Sequence, residues 1–98
     1  MIWPPLPSVI HGTQGPIRVR RVKLVDGDRD AMGLWLPSRR IVQIRTRLPI
    51  DVAWSVLWHE WSHAALDDSG ARHHLTEQQT EAICEAWAAA QLASMRAA

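Results

Sequence analysis

The residues of this chain best placed to do chemistry together are His59, Glu60 and His63, in the run His59-Glu60-Trp61-Ser62-His63. Positions four apart on an α-helix share a face, with Cβ atoms roughly 5–6 Å apart, so two imidazoles at that spacing can converge on one metal ion. Glu60 is rotated about 100° from His59 on such a helix, which leaves its carboxylate beside the ion and not on it. A carboxylate there can take a proton from a metal-activated water and pass it to a leaving amine, the general-base chemistry of peptide hydrolysis. The competing reading is an ordinary helix that happens to carry two polar side chains. Trp54, Trp58 and Trp61 weigh against it, because they occupy another side of the same helix and bury much of its circumference. An idle imidazole on a largely buried helix costs desolvation.

A catalytic zinc site takes three protein ligands and keeps one position open. Leu66 and Ser69 stand where a metzincin would need Gly and His, which excludes that pattern. His73 and His74 follow His63 by ten and eleven residues, across a short connection containing Gly70, and are candidates for the third ligand. Glu81 is better placed, eighteen residues after His63 and one turn into a second helix, with Glu85 four residues further along the same face.

Those helices can be read from their ends. Asp51 is placed to cap a first helix running to about Leu66, and Thr76 with Gln79 forms a capping box opening a second that continues to about Ala93. On the second helix Ile83, Ala86, Trp87 and Ala90 fall on one stripe, expected to face the core. Upstream, Ile17-Arg18-Val19-Arg20 and Val22-Lys23-Leu24-Val25 alternate apolar with basic, and Arg21 breaks phase as a bulge would. Gly33 to Leu36 reads as a short second strand before Pro37, and Ile41 to Leu48 as a third, with Val42, Ile44 and Leu48 on one face and Gln43, Arg45 and Arg47 on the other. The expectation is a single α+β domain over residues 1–98, with a three-stranded, mostly antiparallel sheet that has one wet, basic face. Residues 1–16, rich in Pro and Gly, are expected to form an irregular arm.

Composition agrees with one small domain: 98 residues, 47% hydrophobic and 21% charged, which excludes a disordered or fibrous chain. No apolar run approaches the roughly 18 residues of a membrane span, and Met1 to Pro7 lacks the basic and apolar regions of a signal peptide, so a cytoplasmic protein is expected. The single Cys84 cannot form an internal disulfide and reads as a small buried hydrophobe. The net charge of +1 conceals a split. Ile17 to Arg47 holds nine Lys and Arg against three acids, whereas Leu48 onward holds two Arg against seven acids. Such halves either attract each other or leave a basic face for an acidic partner.

A helix with this His-Glu-x-x-His run, followed by a second helix bearing Glu81, Glu85 and then the aromatic Trp87, resembles the gluzincin arrangement of thermolysin-like metallopeptidases and of the small ImmA/IrrE-like domains. The resemblance implies a zincin-like fold, a zinc ion held by His59, His63 and Glu81, Glu60 as general base, and Glu85 as a carboxylate that orients a ligand histidine. It also implies an edge strand that binds an extended peptide by strand addition, here Ile41 to Arg47 or Gly33 to Leu36. The chain has no Tyr for the oxyanion position, which leaves His73 and His74, with Arg72 and His11 as further candidates. The expected activity is that of a zinc-dependent endopeptidase acting on a peptide or protein, with no membrane partner. One rival is a zinc-stabilised binding or regulatory module that contacts DNA or an acidic partner through the Arg-rich sheet. Another is a self-inhibited protease whose Trp3-Pro4-Pro5 arm covers the metal.

Overall fold

Apolar and basic side chains alternate in the first half of the chain and build a sheet; capped apolar stretches in the second half build two helices. The computed structural model describes residues 2–97; Met1 and Ala98, the ends of the expected domain, lie outside the described residues. The order is β1 (Val9–Gly12), β2 (Gly15–Val22), β3 (Gly33–Leu36), β4 (Ile41–Arg45), α1 (Ile50–Ser69), a 3-10 turn (Ala71–His74) and α2 (Glu77–Ala97). The sheet is mixed, in the order β1-β2-β4-β3, with β2 and β4 parallel and the outer pairs antiparallel. Among the described residues no helix is long and apolar enough to cross a membrane.

The expected sheet is corrected in three respects. It has four strands, because β1 forms inside the segment expected to be irregular. Val9 to Gly12 pairs with Arg18 to Gly15 across the two-residue turn Thr13-Gln14, so this strand is defined by its partner more than by its own pattern. Arg21 makes no bulge, since the β2–β4 register runs unbroken from Arg18 opposite Ile41 to Val22 opposite Arg45. It stays on the face of Ile17 and Val19 at the strand's end, where its guanidinium donates to the Arg45 carbonyl at 3.2 Å. And both long strands end early, β2 at Val22, short of Val25, and β4 at Arg45, short of Leu48.

One face of the sheet packs on α1. Ile17, Val19, Trp35, Val42 and Ile44 meet Ala53, Trp54, Val56, Leu57 and Ala64 in one core. Helix α1 starts on Pro49, whose carbonyl accepts from Ala53 N–H at 2.9 Å; Asp51 lies inside the first turn and does not cap it. The helix ends at Gly70, which adopts the left-handed conformation (φ 77°) that a Cβ disfavours. The capping box of α2 forms in both directions: Gln79 N–H donates to Thr76 Oγ1 at 3.0 Å and Thr76 N–H to Gln79 Oε1 at 2.9 Å. Its buried stripe is Thr80, Cys84 and Ala88, with Leu92 and Met95 packed against the core, and not the stripe through Ala86, Trp87 and Ala90. Small residues let α2 lie close on α1, and Trp87 is left 43% exposed. Cys84 is fully buried, as expected, and burial among nearby carboxylates pushes its thiol up to about 12.

Four indoles tie other segments to α1 or lie on it. Trp54 Nε1 donates to the Pro4 carbonyl at 2.7 Å, Trp61 Nε1 to that of His11 at 2.8 Å, Trp58 Nε1 to Met95 Sδ at 3.2 Å, and Trp35 Nε1 to Asp67 Oδ2 at 2.7 Å. The Trp3-Pro4-Pro5 arm therefore lies on the Trp54 side of α1, with Trp3 beneath Arg96, and does not cover the histidines.

A forked ion pair closes the far end. Arg40 donates to both oxygens of Asp68 at 2.9 and 3.0 Å and to the Gly15 carbonyl at 3.1 Å, joining the β1–β2 hairpin, the start of β4 and the end of α1. The Arg40 hydrogen bond holds Asp68 below the usual carboxylate range. A carboxyl lowered by folding adds stability that is complete above its unfolded pKa and is lost as the pH falls through the folded one. Asp68→Asn should therefore lose about 1–2 kcal/mol at neutral pH in urea unfolding, the figure allowing for Arg40's partial exposure. That deficit should shrink below about pH 4. An equal deficit at pH 3 and pH 7 would exclude this pair as its source.

Candidate metal centre

His59, Glu60 and His63 sit midway along α1 on the flank that faces β3, all three half-buried. Strand β3 can lie against this flank because it opens with Gly33. A Cβ there would run into Val56 Cγ1 and lie 3.1 Å from the Gln43 carbonyl and 3.4 Å from Glu60 Cγ. Two residues on, Trp35 N–H donates to Glu60 Oε1 at 3.1 Å, so the strand's edge holds the carboxylate in place. Burial raises the Glu60 pKa and the charge of Glu81 adds to the rise, while His63, His59 and the Trp35 amide pull it down.

The imidazoles of His59 and His63 lie 5.1 Å apart between centroids, as a four-residue helical spacing places them. Glu81 reaches both from α2, with Oε1 2.9 Å from His63 Nε2 and Oε2 3.1 Å from His59 Nε2. Neighbouring donors on one tetrahedral zinc, each bonded at about 2.0 Å, stand about 3.3 Å apart, a spacing close to these two imidazole–carboxylate distances. Ligand atoms of His59, Glu60 and His63 also lie within 4.8 Å of one another, a group that could itself hold a metal ion. The two carboxylates differ in engagement: Glu60 is bound to the sheet, whereas Glu81 directs an oxygen at each imidazole.

A cavity of about 470 Å³ opens over these groups, bounded by the edge of β3, the three α1 side chains, Arg72 and Glu81. A hollow of about 320 Å³ continues it toward Met32 and Ser55, and one of about 210 Å³ toward Leu75 and Thr80. Each shares lining residues with the central cavity, Gly33, His59 and Glu60 in the first and His63, Arg72 and Glu81 in the second. Glu85 lines the first of these hollows beside His59, and among the described residues it makes no hydrogen bond to either histidine.

His73 and His74 are exposed and line none of these three hollows; Arg72 does so in their place. Gly70 turns the chain by its left-handed conformation and the 3-10 turn then points its successive side chains apart. Arg72 is the one directed back, donating to Asp67 Oδ1 at 3.0 Å. Its place beside Asp67 depends on that turn, and no spacing rule in the sequence distinguishes it from its two neighbours. His11 lies in β1, where its carbonyl accepts from Trp61.

A scan against protein-family models and searches of curated proteins and of solved structures give no match.

The close approach at Gly33 sets one test. Gly33→Ala should destabilise the fold by about 1–3 kcal/mol, the usual range for an overpacked contact. Combining it with Val56→Ala, which removes the obstructing methyls, should cost less in urea unfolding than the two single changes added together. Strict additivity would mean that the strand and the helix do not meet there.

Proposed function

We propose that this chain is a zinc-dependent endopeptidase of the gluzincin type with a zincin-like fold. The observation that carries the reading is the convergence of two imidazoles from α1 and one carboxylate from α2, beside a second carboxylate held by the sheet edge. Two imidazole nitrogens and a carboxylate oxygen are a donor set that suits zinc and leaves a position open. His59, His63 and Glu81 would hold the ion, which when bound supplies a Lewis acid for a peptide carbonyl and lowers the pKa of a water.

Glu60 is the general base, taking the water's proton and handing it to the leaving amine. The Trp35 amide fixes one of its oxygens, and the other has no hydrogen bond among the described residues. Of the two strands considered for the substrate, β4 lies between β2 and β3, and β3 is the edge. In an antiparallel pair alternate residues turn their backbone groups outward. The Trp35 amide points to Glu60, so Gly33 and the Trp35 carbonyl are the groups left for an extended peptide, and they border the cavity. Arg72 is the cation on the cavity wall and the group we assign to the negative charge that develops on the carbonyl oxygen.

Native mass spectrometry and a peptide-library assay test these roles separately. Wild type should carry one zinc per chain. Glu60→Gln should keep the zinc and lose about 100-fold or more in turnover. Glu81→Ala should lose most of the metal. Full turnover in Glu60→Gln would remove the base, undiminished zinc in Glu81→Ala would remove the third ligand, and an absence of zinc from the wild type would end the proposal.

A further inference from the structure

A larger hollow, of about 530 Å³, lies away from the metal centre, where the loop after β2 returns past the end of β4. Its lining is Lys23, Arg29, Arg45, Thr46, Arg47 and Leu48: four cations, a hydroxyl and one apolar side chain, with no carboxylate. Among the described residues none of the four cations takes part in an ion pair. Like charges gathered around one concavity repel each other, so the arrangement costs stability unless an anion enters it.

Two features show how the hollow is built. The Arg45 guanidinium donates to the Arg29 carbonyl at 2.9 Å, and its own carbonyl accepts from Arg21 at 3.2 Å, so Arg45 is fixed and ties the loop to the strand. Arg47 has φ of +66°, a left-handed conformation that a side chain disfavours and that Gly would adopt freely. A residue held in such a conformation at the rim of a charged concavity is a reason to look for a ligand.

We infer that this hollow binds phosphoryl groups that together carry two or more negative charges, from a free diphosphate-type molecule or from successive phosphodiesters of a nucleic-acid backbone. Guanidinium forks match phosphate oxygens in pairs, lysine adds a point charge, and Thr46 has a hydroxyl to donate. A single carboxylate would neutralise only one of the four cations. The site shares no residue with the metal centre, so it stands or falls independently of the peptidase reading.

Calorimetry at low salt with pyrophosphate, and separately with a short oligothymidylate, tests the inference on the full chain. Arg47→Gly removes one cation together with the backbone strain, and Arg29→Gln removes another whose side chain makes no hydrogen bond among the described residues. Each variant should bind the preferred probe roughly tenfold more weakly or worse, as loss of a charge-assisted contact does. The melting temperature of Arg47→Gly should equal or exceed that of wild type, which separates lost binding from lost folding. The tighter probe identifies the source of the phosphoryl group, and oligothymidylate binding should weaken steeply with added salt. Binding of neither probe, undiminished binding in both variants, or tighter binding of an oligoglutamate peptide would overturn the inference.

Discussion

The site depends on how closely one edge strand can approach one helix. A side chain at Gly33 would hold β3 away from Val56, and the amide of Trp35 could then not reach Glu60. That approach is reinforced at the other end of the strand, where the Trp35 indole donates to Asp67 and the Arg40 guanidinium lies 5.5 Å above its ring. Three kinds of contact, steric, hydrogen-bonded and cation–π, thus fix the same few residues. Glu60 is held from the sheet, while the histidines on either side of it are left facing α2.

Burying a helix on several sides raises the question of where its polar groups go. Tryptophan can cover a large apolar area, yet each indole N–H left unpaired in the interior would lose much of that gain. Here the N–H groups of Trp54, Trp58 and Trp61 all find partners on different segments, the N-terminal arm, α2 and β1. The buried Ser62 hydroxyl turns back to the Trp58 carbonyl at 2.8 Å. These partners orient α1 about its own axis, and so determine which flank is presented to β3 and α2. The candidate metal centre is on the flank that the tryptophans leave free.

Local patterns were the most legible part of this chain. The Thr76–Gln79 capping box, the alternation in β2 and β4 and the four-residue spacing of the histidines are rules satisfied within a few residues, and each appears in the structure. Features decided by distant partners were not legible. β1 has too little alternation to announce itself and exists because β2 pairs with it. The parallel pairing of β2 with β4 places β3 at the edge, a choice that the two candidate strands did not reveal by composition. On α2, the apolar weight of Trp87 suggested the wrong stripe. Helix packing here favours the small side chains of Cys84 and Ala88, which allow the close approach that also brings Glu81 to the histidines.

The charge split along the sequence had two explanations, mutual attraction of the halves or a free basic surface, and the structure apportions them. Among the described residues a single ion pair, Arg40 with Asp68, joins the basic half to the acidic half. Two other acids of the second half pair within that half: Asp67 with Arg72 and Glu81 with the two histidines. Mutual attraction therefore accounts for one of the nine cations between Ile17 and Arg47. The excess is not spread evenly, since four of the others surround one hollow. Random scatter of surface arginines would favour separation, because repulsion between neighbours is relieved by distance. Their convergence, with Arg45 anchored through the Arg29 carbonyl and Arg47 in a left-handed conformation, is a property of the fold and not of composition alone.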